Sequence, residues 1–405
     1  MLLDGVRILE FTAFHSGTMG GALLGQLGAD VIKIEDPVRG DPARGLSQMS
    51  GTTSRLPDGR TVMFEVANTD KRSVAIDLKT EGGRRIAHQL VCKSDVFLSN
   101  YRPDILQRFG LDWDTLHALH PRLVYVTASG QGALGPDAGS RAFDWIGQAM
   151  SGMMWASGDR SNSEPSIVVG GPIDQTGGTL AALAIAVGLT SRSITGVGTR
   201  ADVSLLGAAI SMMSLRIGQF TLAGKAVTRH GRSESRQPLS NWYRCADDRW
   251  LLLCELQSDR FWTGFCEVIG RPALVDDPRF LNTTVRRKSY RDLIEILDEV
   301  FSEQPLGVWL ARFRENLPEF VVAPILDQGE VVAHEQSLAN RYIVEWPGKG
   351  SAHGMTVGSP ISFLDDPAHI RRPAPELGQD TEQVLIDELG YDWDEISRLR
   401  ESGVF

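Results

Sequence analysis

Clustered positive charge is the first thing this sequence lacks. Its 41 Lys and Arg are outnumbered by 51 Asp and Glu, giving a net charge of −10 over 405 residues. General binding to nucleic acid or to a membrane surface needs basic clusters, so neither partner is expected. Any anionic ligand must instead be met by local cations. Cysteine is scarce: Cys92, Cys245, Cys254 and Cys266 stand apart, with no C-x-x-C pair and no metal-ligand spacing. That argues against a disulfide framework or a metal site and fits a reducing compartment. The opening MLLDGVRILEF lacks the basic segment and cleavage site of a signal peptide. The longest apolar run, around Leu180–Leu189, is shorter than the roughly 20 residues that span a bilayer. These absences point to a cytoplasmic protein, without internal repeats or low-complexity segments.

What is present is an ordinary globular composition, 42% apolar and 23% charged, in a chain long enough for two or three domains. Apolar, branched stretches at 6–11, 30–35, 73–78, 95–101, 122–129 and 199–206 read as strands. Helical spacing lies between them, which predicts an α/β fold with a parallel sheet covered on both faces. The segment GRSESRQPLSNW (231–242) is polar and turn-rich and reads as a linker. Beyond it, the strand RWLLLCEL (249–256) and three helical segments predict a smaller α+β domain. The expected division is 1–230 for the larger domain, 231–345 for the linker and small domain, and 346–405 for a return to the first.

Two stretches invite chemistry. FTAFHSGTMGGALLGQLGADVIKIED has glycines after a strand and an acid, Glu35, where a dinucleotide fold places its ribose-binding carboxylate. Its glycines fall at 17, 20 and 21, which is not G-x-G-x-x-G, so the fingerprint is defective. In VVGGPIDQTGGTLAALAIAVG, Asp174 stands between a glycine pair and the uncharged stretch Gln175–Val187. It is either the cap of a buried helix or a nucleophile. A helix N-terminus favours a carboxylate by about 0.3–1 kcal/mol, so an ionised Asp174 is expected.

Several blocks carry a resemblance: LLDGVRILEFT, LGADVIKIEDPVRGD, NTDKRSVAIDLKTEGGRRI, SDVFLSNYRPDILQRFGLDWDTLHALHPRLVYVTASGQG, FDWIGQAMSGMM and PELGQDTEQVLIDELG. In this order, across nearly the whole chain, they resemble the class III CoA-transferases of the CaiB/BaiF type, relatives of formyl-CoA and carnitine CoA-transferases. The resemblance implies a Rossmann-like large domain, a smaller domain, and two chains interlocked as rings in a homodimer. It implies a coenzyme A thioester and a carboxylic acid as substrates, with no tightly bound cofactor. It makes Asp174 the match to the family's nucleophile, which forms an aspartyl anhydride and then an aspartyl-CoA thioester. The amides of Gly170, Gly171, Gly177 and Gly178 are candidates for the oxyanion.

The matched CoA contacts are Ile76, Lys79, Asn100, Tyr101, Arg108 and Arg141. His15 stands where relatives carry a polar residue near the acyl intermediate; it is a donor to an oxyanion or a packed strand-end histidine. Asp36 replaces a basic residue used near the adenine, for which Arg39 or Arg44 are substitutes. Racemases of this fold use a histidine beside an aspartate; here Phe143 stands at the histidine's place, before Asp144. A phenyl ring accepts no proton, so racemisation through that position is excluded. The alternatives are an acyl-CoA isomerase, hydrolase or lyase on the same fold, or a CoA-binding protein without turnover. Trp145, Met150, Met153 and Met154 suggest either an apolar lining near the site or ordinary core.

Overall fold

The computed structural model describes residues 1–49, 51–158, 164–226, 229 and 231–405. They gather into two compact units. One comprises Met1–Trp155, Ile167–Val227 and His334–Phe405; the other comprises Ala156–Ser166 and Thr228–Ala333. The smaller unit therefore closes at Ala333 rather than at 345. Residue 230, at the expected boundary, lies outside the described residues.

Six parallel strands form the centre of the larger unit: Arg7–Phe11, Asp30–Glu35, Lys71–Ala75, Val96–Ser99, Val124–Ser129 and Arg200–Ser204. Numbered in chain order, they lie 3-2-1-4-5-6, the doubly wound Rossmann order. Leu9 faces Ile32 on one side and Phe97 on the other. Near-continuous burial along these strands, Glu10 and Lys33 included, suits a sheet with both faces covered. The third strand starts at Lys71, before the expected SVAIDL, because Lys71 itself is buried. Strand order reverses between the first and fourth strands, and there the sheet leaves a crevice at its carboxyl end.

Glycines set the distance between two helices against this sheet. The first helix, Ser16–Gln26, packs on the long helix, Pro172–Thr195. A Cβ on Gly20 would lie 2.9 Å from the Gly178 carbonyl oxygen, and one on Gly178 would lie 2.8 Å from the Met19 Cβ. Of the glycines that suggested a nucleotide turn, Gly20 is accounted for by this helix contact, Gly17 by the closeness of Ala128 and Asn100, and Gly21 by that of the buried Glu10. The long helix is apolar enough, over 24 residues, to cross a bilayer on length and composition alone. Counting strictly apolar runs missed this, because Gln, Thr and Gly interrupt the run without adding charge. One side of the helix rests on the first helix and the Val124–Ser129 strand.

The C-terminal helices Thr381–Leu389 and Trp393–Glu401 belong to the core of the larger unit. Val384, Leu385, Ile396, Leu399 and Val404 join Leu9, Ile32 and Val74 in one apolar cluster. The edge strand is sealed by the same segment: Ser73 N donates to Asp380 Oδ2 at 2.8 Å and Ala75 N to Thr381 Oγ1 at 2.9 Å.

The smaller unit holds an antiparallel sheet of Ser240–Arg244, Trp250–Cys254 and Val322–Pro324. Its core includes Tyr243, Trp262, Phe265, Phe301, Trp309 and Phe313. The expected linker 231–242 is therefore partly strand. Asn241 and Tyr243 are buried in alternation, a pattern hidden because the inward Asn241 is polar and the outward Trp242 apolar.

Candidate active site

A cavity of about 990 Å³ opens at the carboxyl end of the central sheet. The Ala13–Ser16 turn after the first strand and the Asn100–Pro103 turn after the fourth line it, as do Arg141, Phe143 and Asp174. Ligands of doubly wound sheets bind at such a switch point.

The start of the long helix is built by residues distant in sequence. Gly170 and Gly171 take left-handed conformations, with φ of 96° and 67°, and turn the chain into Pro172, whose missing N–H is harmless in a first turn. The Asp144 Oδ2 accepts from Ile173 N at 2.7 Å and from Asp174 N at 3.1 Å. Gln148 holds the approach: its Nε2 donates to Asp144 Oδ1 at 2.5 Å and to Val168 O at 2.8 Å, while its Oε1 accepts from Val168 N at 2.9 Å. Asp144, rather than Asp174, is therefore the group that caps this helix.

The Asp174 carboxyl accepts no hydrogen bond among the described residues. Burial pushes it up to about 7, and the neighbouring Asp144 pushes the same way. This corrects the expectation that the helix terminus keeps it charged, because the two nearest amides are already given to Asp144. Gly177 and Gly178 sit inside the helix, where amides serve the i→i−4 ladder. The amides of Gly170 and Gly171 precede that ladder and have no acceptor among the described residues.

The Ala13–His15 turn is held from beneath by buried charge. Lys33 Nζ donates to Thr12 O at 2.9 Å and pairs with Asp41 at 3.0 Å, and Lys71 Nζ lies 2.8 Å from Glu10. Against the opposing pull of burial, Lys71 and Lys33 hold Glu10 below the usual carboxylate range. Asp41 Oδ1 accepts from Phe14 N at 3.0 Å, and the Asn100 amide makes two bonds to Ala13, at 2.8 and 2.6 Å. So fixed, Phe14 keeps a φ of 61°. The His15 Nε2 lies 2.6 Å from Gln175 Nε2, and its Nδ1 is buried without a partner. Burial lowers the His15 pKa, which keeps the ring neutral at pH 7. Because the Gln175 Nε2 donates, His15 Nε2 accepts, and the proton of the neutral ring sits on Nδ1.

Of the matched contacts, His15, Asn100, Tyr101 and Arg141 line the cavity with Asp174; Ile76, Lys79 and Arg108 do not. Tyr101 stacks on Phe11 with ring centroids 4.1 Å apart. Arg141 is exposed and carries no ion pair among the described residues. The Ile76 side chain is sealed in the core, so it offers no side-chain contact. Lys79 is exposed and reaches Asp36 at 3.4 Å, and Arg108 lies over the Phe109 ring at 4.8 Å. Asp36 spends its other oxygen on the amides of Val38 and Arg39. Arg44 is held by Glu35 through two bonds, at 2.8 and 2.7 Å, and lies over Phe64. That leaves Arg39, which is exposed, as the available substitute. Glu35 also accepts from Ser73 Oγ and Asp41 N, so no ribose can claim it.

Sequence reasoning missed Phe14, Trp113, Arg200 and Asp202 in the cavity lining, and Gln175 beside it, bonded to His15. The place of Gln175 beside Asp174 was the one signal available. Trp145 and Met150 are exposed and outside the cavity lining, and Met153 packs with Ile173 and Leu205 in the core. Among the described residues, no His, Cys, Asp and Glu are grouped to hold a metal ion.

An acid at a helix terminus beside the switch point of a Rossmann sheet defines the class of site. The model of CoA-transferase family III matches residues 3–381, and the chain belongs to that family of enzymes. It is 30% identical over 406 residues to the (R)-2-hydroxy-4-methylpentanoate CoA-transferase of Clostridioides difficile, covering 100% of this chain and 99% of the relative. It is 33% identical over 381 residues to the acetyl-CoA:oxalate CoA-transferase of Acetobacter aceti, covering 93% of each. A CaiB/BaiF family structure from Brucella suis superposes with a TM-score of 0.82 at 25% identity, covering 95% of this chain and 99% of that one.

Proposed function

We propose that the protein moves coenzyme A between an acyl thioester and a free carboxylate, with Asp174 as covalent nucleophile. The observation that carries this is the Asp174 carboxyl itself, half-buried in the cavity with no hydrogen bond to hold it. In its ionised form an Asp174 oxygen attacks the thioester carbonyl carbon; the C–S bond breaks, and CoA thiolate leaves a mixed anhydride. The thiolate attacks the Asp174 carbonyl carbon, the anhydride C–O bond breaks, and the donor acid departs. An acceptor carboxylate then attacks the aspartyl-CoA thioester and expels the thiolate. Attack of that thiolate on the acceptor's acyl carbon yields the new thioester and restores Asp174. Every nucleophile enters as an anion, so no general base is required. Gly170 and Gly171 are the amides proposed to meet the developing oxyanions.

Tyr101 and Arg141 are proposed to touch the CoA chain inside the cavity, and Lys79, Arg108 and Arg39 to meet its phosphates from outside it. Asn100 and His15 are assigned to shaping the turn above Asp174. The interlocked homodimer is proposed as well, in the cytoplasm. The helix Ser214–Ala223 buries none of its residues, and Leu215 and Leu222 are about nine-tenths exposed, at 87% and 91%. Apolar faces of that kind are covered by a partner. Light scattering after chromatography should give twice the 44.4 kDa chain mass; a monomer would sink that part. For the chemistry, exchange is measured across acyl-CoAs and free acids. Loss in Asp174→Ala by about 10³-fold or more is expected, with an adduct on the Asp174 peptide by mass spectrometry. Undiminished exchange in that variant overturns the proposal.

A further inference from the structure

Two phenylalanines line the cavity that Asp174 opens into, and each is carried by a turn anchored on the long helix. Phe143 immediately precedes Asp144, whose carboxylate binds the amides of Ile173 and Asp174. Phe14 immediately precedes His15, which is bonded to Gln175. Each ring is thus one residue from a group anchored on the first turn of the long helix. The rings meet edge to face, with centroids 5.5 Å apart and planes at 89°, and both line the cavity. Phe14 keeps left-handed backbone geometry to reach this position, a strain that the Asp41 and Asn100 bonds uphold. Strained residues held in a cavity point to use.

From this arrangement we infer that the acyl group passed through Asp174 is apolar, an aromatic or branched-chain monocarboxylate without a second charge. The inference rests on the CoA-transfer reading. Ring faces and edges accept apolar and aromatic groups, and neither ring brings a hydroxyl or amide. The charge that acts on the Asp174 carboxyl is Asp144, an acid. A second substrate carboxylate here would lose its water and meet two acids. Three arginines line the cavity: Arg102, which pairs with Asp104, Arg200, which lies over the Trp113 ring, and Arg141, two residues before Phe143 and without an ion pair among the described residues. Arg141 is therefore the one that could receive such a carboxylate.

The test is steady-state exchange with matched donors: benzoyl-, phenylacetyl- and isovaleryl-CoA against succinyl- and glutaryl-CoA. The apolar donors are expected to exceed the dicarboxylic ones in kcat/KM by about tenfold or more. Phe143→Ala lowers the apolar donors by a similar factor and narrows the ranking, while Phe143→Leu, which keeps the apolar surface, holds most of it. Thermal melting of both variants separates a lost pocket from a lost fold. Arg141→Ala lowers all donors alike. Succinyl- or glutaryl-CoA turning over as well as the apolar donors, with Arg141→Ala removing that activity selectively, overturns the inference and leaves the transferase reading standing. No exchange with any donor and no adduct on the Asp174 peptide overturns both.

Discussion

Two groups of buried charge lie on either side of the Ala13–His15 turn, and they are built on opposite rules. Beneath the turn, Glu10 and Asp41 are matched by Lys33 and Lys71, each lysine fully buried and paired. At the start of the long helix, Asp144 and Asp174 share one terminus with no cation among the charges that set the Asp174 pKa. The first arrangement keeps charges where they are and so fixes a backbone turn. The second leaves one carboxyl poorly solvated and free to react. Pairing gives position; the absence of pairing gives reactivity.

Breaking the paired side should have the largest effect on stability. Lys71→Met leaves buried acids in excess and should cost about 3–5 kcal/mol in denaturant unfolding. A cost below about 1 kcal/mol would mean that the cluster is not what holds the turn. On the unpaired side the sign reverses. Asp174 binds its proton at about 7 when folded and at 3.8 as a free aspartate side chain, so between those values the folded chain holds more protons, and stability falls as pH rises. Asp174→Asn should therefore stabilise the fold at pH 8, by at most about 4 kcal/mol, with the gain fading toward pH 4. Equal stability of the two proteins at every pH would contradict this.

The same displaced pKa governs rate. Because the attacking form is the carboxylate, kcat/KM should fall about tenfold per pH unit below about 7 and level off above it; a profile flat down to pH 5 would refute the assignment. The smallest effect is the most selective. Asp144→Asn keeps an oxygen to cap the helix but removes the charge and the acceptor for Gln148 Nε2, so the acid limb of the profile should move to lower pH while the melting temperature falls by the loss of about one hydrogen bond. An unmoved limb would separate the two acids energetically and undo the comparison.

The parallel sheet was legible because its strands are runs of Val, Ile and Leu, bounded by turns and long enough to read locally. Asp174 was conspicuous for a related reason, as one charge before a long uncharged stretch. Its environment was not legible. The cap comes from Asp144, 30 residues earlier, and the buried lysines look like surface residues until the strands that carry them are stacked. The matched motifs named Ile76, Lys79 and Arg108 from their neighbours in sequence. Their distance from the cavity lining depends on which face each element turns inward, which spacing alone does not say. Residues 240–242, the start of the strand Ser240–Arg244, fall in the expected linker because the buried residue there is the polar Asn241 and the apolar Trp242 faces outward.

The sealing of the edge strand by Asp380 and Thr381 bears on the order in which the molecule is made. The larger unit draws its core from both ends of the chain, with Leu9 and Leu385 in the same apolar cluster. The smaller unit is drawn mostly from the continuous stretch Thr228–Ala333. During synthesis that stretch emerges whole, whereas the larger core stays open until the helices at 381–401 have left the ribosome. Until then the outer edge of Lys71–Ala75, opposite its pairing with Asp30–Glu35, is bare, and the nascent chain carries an open sheet edge through most of its translation.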